Sequence, residues 1–595
     1  MKSKKVILFF PNTGFDIKGV SVDLPLAVLN LAAFVRDEFD VCIIDQRLEP
    51  DWRERLIKEL ANSPLCLGVS SLTCPQILFG LEASELAREN SPETLIVWGG
   101  VHPTLMPKST LNNPLIDVII RDQGELPFLY LLRAIYSDQQ ADLSKLPSLS
   151  FTKEEKYIET PLLTEPKNRL DMFPELPYDL LKAGVESYIG SQGRFVNPDA
   201  RSLIMITSTG CPYRCTYCAM PGMDSTRTQV TESAERTVSR IKKLIDDYGI
   251  NAIAFHDEEF MVNPQRTITL AEQIIKKIGG RKAGFRWWCQ ARMDTIERLY
   301  NYKGKNYLPL LVESGLESFQ PGIESGSDRI LELIKKRETS DDFIRINKIL
   351  SQYSEFQPLY NFMVGFPSET LDEMKATLRL AEQLVSDNPY AMIAGVYILV
   401  PYPGTEIYDF ALEAGFKPPK TLEEWAEFNR QQLLTPWVKN NPKMLKLAEF
   451  ARLTSRFIDG KRLPRRLNHS FGGKSGLKEE DFSEMSFLLK KRWRKGNFSD
   501  LEIFKTFNRL VLALFDIAKS MDSGEGNTKP IGVDERTKEL IVDTMFPLGG
   551  NQIKERDEEY QRSRKLLAKS KVLSRKRKIS GFDDNSGIEE GKTGR

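Results

Sequence analysis

Three cysteines in the stretch STGCPYRCTYCAM, Cys211, Cys215 and Cys218, are the residues whose type and spacing bear most directly on chemistry. A C-x3-C-x2-C loop lets three thiolates face one inorganic centre without a long flexible closure, and soft sulfur ligands select zinc or an iron–sulfur cluster. A structural zinc closes four ligands and a four-iron cluster usually takes four thiolates. A site with three keeps one coordination position open for something that reacts. The other four of the seven cysteines, Cys42, Cys66, Cys74 and Cys289, stand singly and give no second C-x2-C for a zinc ribbon. His256 could serve as a fourth ligand and three merely buried cysteines would look the same, so zinc and a structural role stay open at this level.

Further residues with chemical potential sit after short apolar runs. Asp257, Glu258 and Glu259 follow one another in FHDEEF, which is either a solvated turn or a place for a cationic group. Gln290 and Arg292 in FRWWCQARMD can meet a carboxylate, the arginine bidentately. Glu324 and Ser325 in GIESGSD, Gly365 and Pro367 in VGFPSET, and Gly404 and Thr405 in PYPGTE complete the set. Each fragment alone is weak.

The elements that must position these residues alternate in type from about Ser202 to Phe416. Strands are expected at Leu203–Ser208, Ala252–Phe255, Phe285–Gln290, Ser318–Ile323, Tyr360–Val364 and Ala394–Leu399, separated by amphipathic helices such as 234–248, 266–278 and 370–385. Six βα units predict a partial (β/α)6 barrel whose site lies at the strands' carboxyl ends, where every fragment above falls. Upstream, residues 1–140 alternate in the same way and predict an N-terminal doubly wound, Rossmann-like α/β sheet. Its strand ends carry Ser70, Ser71 and Thr73, then Gly99, Gly100 and His102, then Gly124 and Glu125. Small and hydroxyl residues there admit a ligand close to the backbone. No G-x-G-x-x-G or P-loop pattern occurs in this part, which argues against a dinucleotide or nucleotide-triphosphate site.

In this order the fragments resemble the radical S-adenosylmethionine (SAM) enzymes, in which C-x3-C-x2-C carries an aromatic before its last cysteine, here Tyr217. The resemblance implies a [4Fe–4S] cluster on Cys211, Cys215 and Cys218 whose open iron binds SAM, and contacts to SAM from Tyr217, Asp257, Glu258, Gln290, Arg292, Glu324 and Ser325. The segments LPLAVLNLAAFVRDEFDVCIID, LGVSSLTCPQ, VWGGVHPTLMP and RDQGELPF are similar to the cobalamin-binding domain that precedes many such barrels. That similarity implies cobalamin contacts from Ser70, Ser71, Thr73, Gly99, Gly100, His102, Gly124 and Glu125. There is no D-x-H-x-x-G, so the expected state is base-off cobalamin without a histidine on its lower face. His102 sits where the family places a nucleotide-tail contact.

Composition sets the remaining bounds. The chain has 595 residues, 41% hydrophobic and 28% charged, with a formal net charge of +1, so no global field recruits nucleic acid or an anionic surface. No apolar run approaches the ~20 residues of a membrane helix, and a cytoplasmic location is expected because free thiols survive there. Residues 141–201 read as a proline-punctuated linker with one or two short helices, 202–416 as the barrel, 417–550 as a helical C-terminal region anchored by Trp425, Phe428, Trp437 and Leu447 and including a helix at Leu501–Lys519, and 551–595 as a charged, disordered tail. In the resembling family the C-terminal region closes over the barrel. The family chemistry implies a methyltransferase acting on an unactivated carbon of a small or lipid-like substrate, through methylcobalamin and a 5′-deoxyadenosyl radical, with an electron donor such as flavodoxin or ferredoxin and no nucleic-acid partner. Oxidation, cyclisation or rearrangement with the same cofactors, and a non-catalytic cobalamin sensor, remain alternatives.

Overall fold

The computed structural model describes residues 3–14, 22–138, 141–163, 169–190, 194–195, 197, 199–220, 223, 228–355, 357–428, 435–455, 457–461, 483–496 and 561–562. The helix expected at Leu501–Lys519 lies outside these residues, as does nearly all of the charged stretch beyond Asn551.

Seven strands form the first sheet: β1 Lys5–Phe10, β2 Asp40–Asp45, β3 Cys66–Ser70, β4 Leu95–Gly99, β5 Val118–Ile120, β6 Leu149–Lys153 and β7 Lys156–Glu159, in the order β2-β1-β3-β4-β5-β6-β7. The first five pair in parallel. Their continuous apolar runs suit a sheet covered by helices on both faces, and Val6 to Phe9 are completely buried. Strand order reverses between β1 and β3, which opens a crevice at their carboxyl ends. The proline-rich connector departs from expectation here. Its β6–β7 hairpin adds two antiparallel strands to the sheet, so the first domain continues to Glu159.

The second unit is an open barrel of six parallel strands in the order β8-β11-β12-β13-β15-β16: β8 Ser202–Met205, β11 Ala252–Phe255, β12 Arg286–Gln290, β13 Leu316–Gln320, β15 Gln357–Val364 and β16 Met392–Ile398. Two short strands, β9 Ser208–Thr209 and β10 Val230–Thr231, pair antiparallel on either side of the cysteine loop, and β14 Gly322–Glu324 extends the edge of β15. The barrel helices begin and end where their sequence directs. Ser233 caps the helix Ala234–Tyr248 and Gly249 stops it in a left-handed turn, while Thr370 and Glu373 form a capping box on Leu371–Asp387.

The C-terminal region also departs from expectation. The helix Leu422–Ala426 packs on Gln76–Asn90 of the first domain, and Trp425 and Phe428 join the core that holds Phe9, Trp52 and Trp98. The helix Pro442–Thr454 lies instead against β16 and the helix Leu371–Asp387. Gly404 adopts φ +76° and brings the backbone so close to Leu105 that a Cβ there would lie 2.8 Å from its side chain. Barrel and first domain are thus in direct contact.

Candidate functional site

The cysteine loop is fixed at both ends and in its middle. Gly210 turns into it at φ +86°, and the β9–β10 ladder brackets it. Thr216 donates its backbone N–H to Ile334 and accepts one from Ile407, so the loop is pinned between two barrel helices. Cys211, Cys215 and Cys218 are half-buried, and all are free thiols. Burial pushes Cys211 up to about 12 and Cys218 up to about 11, with the neighbouring thiols adding to the rise. Thiols held up in this way, as Cys211 and Cys218 are, need a cationic partner to become ligands, which is what a soft metal centre provides. Among the described residues no set of three His, Cys, Asp or Glu side chains is gathered to hold a single metal ion. A [4Fe–4S] cluster places one thiolate on each iron, so its ligands need not converge on one point. The donor set fits such a cluster.

Around the loop the three acids divide. Asp257 is fully buried and accepts hydrogen bonds from Thr207 N (2.7 Å), Thr207 Oγ1 (2.7 Å) and Ser208 Oγ (2.8 Å), which commits it to shaping the strand that leads to the cysteines. Glu259 is buried too and accepts from Thr295 Oγ1 at 3.0 Å; burial pushes its carboxyl up to about 7. Glu258 is half-buried, and its charge bears on Cys218. The Glu259 charge bears likewise on Cys211, so two of the three acids act on the cysteine loop.

Tyr217 donates to Glu324 Oε1 at 2.7 Å, and Lys336 Nζ stands 3.8 Å from the same oxygen. Glu324 is held at φ +66°, an uncommon conformation for a glutamate, at the last position of β14. Ser325, fully buried, spends its hydroxyl on Thr377 and the Ser327 N–H. Arg292 lies over the Tyr213 ring at 3.9 Å and pairs with Glu338 and Asp294 at 2.9 Å each, so its guanidinium is already bound to two carboxylates. Gln290 is exposed at the end of β12. Thr405 accepts no cap bond and donates to Tyr402 O, so this turn serves the contact with Leu105.

At the first sheet's strand ends, Ser71 N donates to Gly99 O, and Gly100 at φ +99° lies so near Ser71 that an added Cβ would fall 2.6 Å from its carbonyl oxygen. Thr73 Oγ1 and His102 Nδ1 are 2.9 Å apart. His102 is wholly buried against Trp425, its Nε2 has no partner among the described residues, and burial lowers it to about 3. It is neutral and positions Thr73. Gly124 precedes, and Glu125 opens, the helix Glu125–Ser137. An orphaned polar nitrogen, hydroxyls and tight glycine turns at the switch-point crevice fit a polar cofactor rim.

Strand parity defines the barrel interior, which sequence reasoning did not single out. Trp287 Nε1 bonds Ser314 on the helical side, so Trp288 faces inward. The parallel register then places Ala254, His256, Trp288, Gln290, Ser318, Gln320, Asn361 and Tyr397 on one inner face. Gln320 Nε2 donates to Asn361 Oδ1 at 3.1 Å between the adjacent strands β13 and β15. Alternation within FRWWCQ was the signal that could have revealed this polar lining.

Fold and site together define an α/β enzyme with two cofactor regions, one at a doubly wound sheet and one at a three-cysteine barrel mouth. Residues 205–381 match the radical SAM superfamily and residues 20–132 the B12 binding domain. The chain is 30% identical over 419 residues to the "uncharacterized methyltransferase PH0819" of Pyrococcus horikoshii, spanning 69% of this chain and 84% of that one. It is 23% identical to the anaerobic magnesium-protoporphyrin IX monomethyl ester cyclase of Cereibacter sphaeroides, over 69% of this chain and 62% of that protein. Its fold is similar to that of the radical SAM methyltransferase TsrM from Kitasatospora setae, solved with cobalamin and a [4Fe–4S] cluster, at a TM-score of 0.59 and 18% identity over 83% of this chain and 100% of the other. The chain belongs to the cobalamin-dependent radical SAM enzymes. Its cofactors are therefore a [4Fe–4S] cluster, SAM and cobalamin. Among the described residues, no helix is long and apolar enough to cross a membrane.

Proposed function

We propose that this enzyme transfers a methyl group to an unactivated carbon of a polar small molecule held in the barrel interior. Cys211, Cys215 and Cys218 would hold the cluster, Tyr217, Glu258, Gln290 and Glu324 would contact SAM, and Asp257, Arg292 and Ser325 would support that site through their neighbours. The strand-end residues Ser70, Ser71, Thr73, Gly99, Gly100, Gly124 and Glu125, with His102 behind Thr73, would border the cobalamin. When bound, the cluster with SAM supplies one-electron and hydrogen-abstracting chemistry, and the corrinoid supplies a methyl carrier.

The observation that carries the proposal is the direct seating of the first domain on the barrel through Gly404 and Leu105, which supports a reading in which the two cofactors serve one reaction. This chain's own part is positional. Tyr217 orients Glu324, Asp257 fixes the strand before the cysteines, and the buried strand ends exclude water from the reacting groups. An electron donor such as flavodoxin or ferredoxin is the partner this chemistry needs, and the cytoplasm is the compartment that suits it.

Anaerobic reconstitution with SAM labelled in its methyl group is the test. Formation of 5′-deoxyadenosine with label in the product supports methyl transfer, and absence of 5′-deoxyadenosine overturns the enzyme assignment. The similarity to the cyclase favours a second reading, oxidative ring closure with the same cofactors, and an unlabelled cyclised product would select it.

A further inference from the structure

The inner barrel wall contains buried polar atoms that no group among the described residues satisfies. Trp288 is 1% exposed, yet its indole Nε1 has no hydrogen-bond partner among the described residues. His256, one residue past β11, lies against it with ring centroids 5.5 Å apart, and its Nε2 is likewise buried and unpartnered. An indole N–H can only donate, and leaving it dry forfeits a hydrogen bond that water would otherwise make. Natural interiors seldom keep two such groups side by side without something to bond them.

A third group completes the arrangement. The Arg194 guanidinium, arriving from the connector, stands 5.5 Å from the centre of the Trp288 ring. Asp23 of the first domain holds it there through two bonds, Nη1 to Oδ1 at 3.2 Å and Nη2 to Oδ2 at 2.9 Å. Asp23 is itself tied down, because its backbone carbonyl accepts from Arg47 Nη2 at 2.8 Å. Guanidinium has five N–H donors, so the ion pair leaves Arg194 capacity for another acceptor. Burial and the nearby Arg194 charge lower the imidazole to about 3, so His256 is neutral and presents one N–H and one lone pair. The neighbouring inner positions are small or half-buried: Ala254 beside Trp288, Gln320 on the adjacent strand, and Asn361 and Tyr397 further along the sheet.

We propose that Arg194, Trp288 and His256 form the subsite that recognises an anionic oxygen group, a carboxylate or a phosphate, of the substrate. Trp288 and Arg194 both donate, so a ligand seated there must present acceptor oxygens, and the guanidinium charge selects an anion over a neutral amide. Asp23 is a positioning residue: it keeps Arg194 over the indole, and it does so from the domain that carries cobalamin. The subsite rests on the proposed function for its assignment to substrate, but its binding chemistry can be measured without turnover.

The test uses the reconstituted full-length protein labelled with 5-fluorotryptophan, the Trp288 resonance being identified by its loss in Trp288→Phe. Benzoate, phenyl phosphate and the neutral isostere benzamide are titrated in separate arms. A saturable shift of the Trp288 signal with benzoate or phenyl phosphate but not benzamide is expected, the arm with the tighter response naming the anion. In Arg194→Gln the dissociation constant should rise about tenfold or more, the loss of one charge-assisted bond. An unshifted Trp288 resonance in both anion arms, or an equal shift with benzamide, overturns the subsite. Retained far-UV circular dichroism and cluster colour in each variant exclude misfolding as the cause. Separate assay of 5′-deoxyadenosine in the unsubstituted enzyme distinguishes failure of this subsite from failure of the proposed reaction.

Discussion

The phenol of Tyr217 donates a 2.7 Å hydrogen bond to Glu324 Oε1, joining the residue before the last cysteine to the end of a strand across the barrel mouth. Burial and the Glu324 charge both hold the Tyr217 hydroxyl well above its ordinary pKa, so it remains a donor at any physiological pH. Tyr217→Phe removes that donor while keeping the ring. SAM affinity is expected to fall about tenfold with the cluster colour retained, measured by anaerobic equilibrium dialysis; unchanged affinity would detach Glu324 from SAM binding.

Cys215→Ala is expected to abolish the brown cluster chromophore on reconstitution and leave no more than partial iron incorporation. Iron and zinc analysis checks this. A stoichiometric zinc in the unsubstituted protein would show that the loop serves a different metal.

Glu369 gives a pH signature. Its carboxyl accepts N–H bonds from Gly365 at 2.5 Å and Phe366 at 3.1 Å, which favour the ionised form, but burial dominates and pushes it up to about 8. The folded pKa lies above the unfolded carboxylate value, so this contribution to stability is complete below about 4.5 and is lost as pH rises toward 8. Glu369→Gln should flatten that segment of the stability curve, followed by denaturant unfolding at several pH values. An unchanged slope would refute the assignment.

Gly100→Ala should destabilise the first domain by about 1–3 kcal/mol, since it combines a left-handed φ with a Cβ 2.6 Å from the Ser71 carbonyl oxygen. Cobalamin retention should fall in parallel, as the same turn carries His102. Thermal unfolding and corrinoid absorbance together read both effects.

Trp425→Ala should cost about 3–5 kcal/mol, the cost of emptying a large core site. The loss should appear in the first domain, where Trp425 meets His102 and Phe428, although the residue lies beyond the barrel in sequence. Hydrogen exchange resolved by segment distinguishes this from a general loss of stability.

Much of this architecture was legible because parallel strands write themselves as short apolar runs between amphipathic helices. The strand Ala252–Phe255 and the helix Ala234–Tyr248 fall on their expected positions to the residue. The cysteine spacing was legible because its ligands are local. What escaped depends on distant partners. The β6–β7 hairpin is written in short, half-polar segments whose pairing with β5 only the folded sheet discloses. Three consecutive acids look alike in sequence, and only geometry shows Asp257 turned to Thr207 and Glu259 bonded to Thr295. Arg194 and Trp288 belong to no motif, and 94 positions separate them. Their meeting depends on how the connector crosses the barrel.

The contact of Trp425 and Phe428 with Phe9, Trp52 and Trp98 also sets a timetable for synthesis. A core begun by the first strand to leave the ribosome is closed only after the whole barrel has been translated. The N-terminal sheet therefore waits, with one apolar flank uncovered, through most of elongation. That interval is when a nascent chain is most exposed to aggregation and chaperone capture, and substitutions in residues 416–428 should weigh on yield in the cell as heavily as those in the sheet itself.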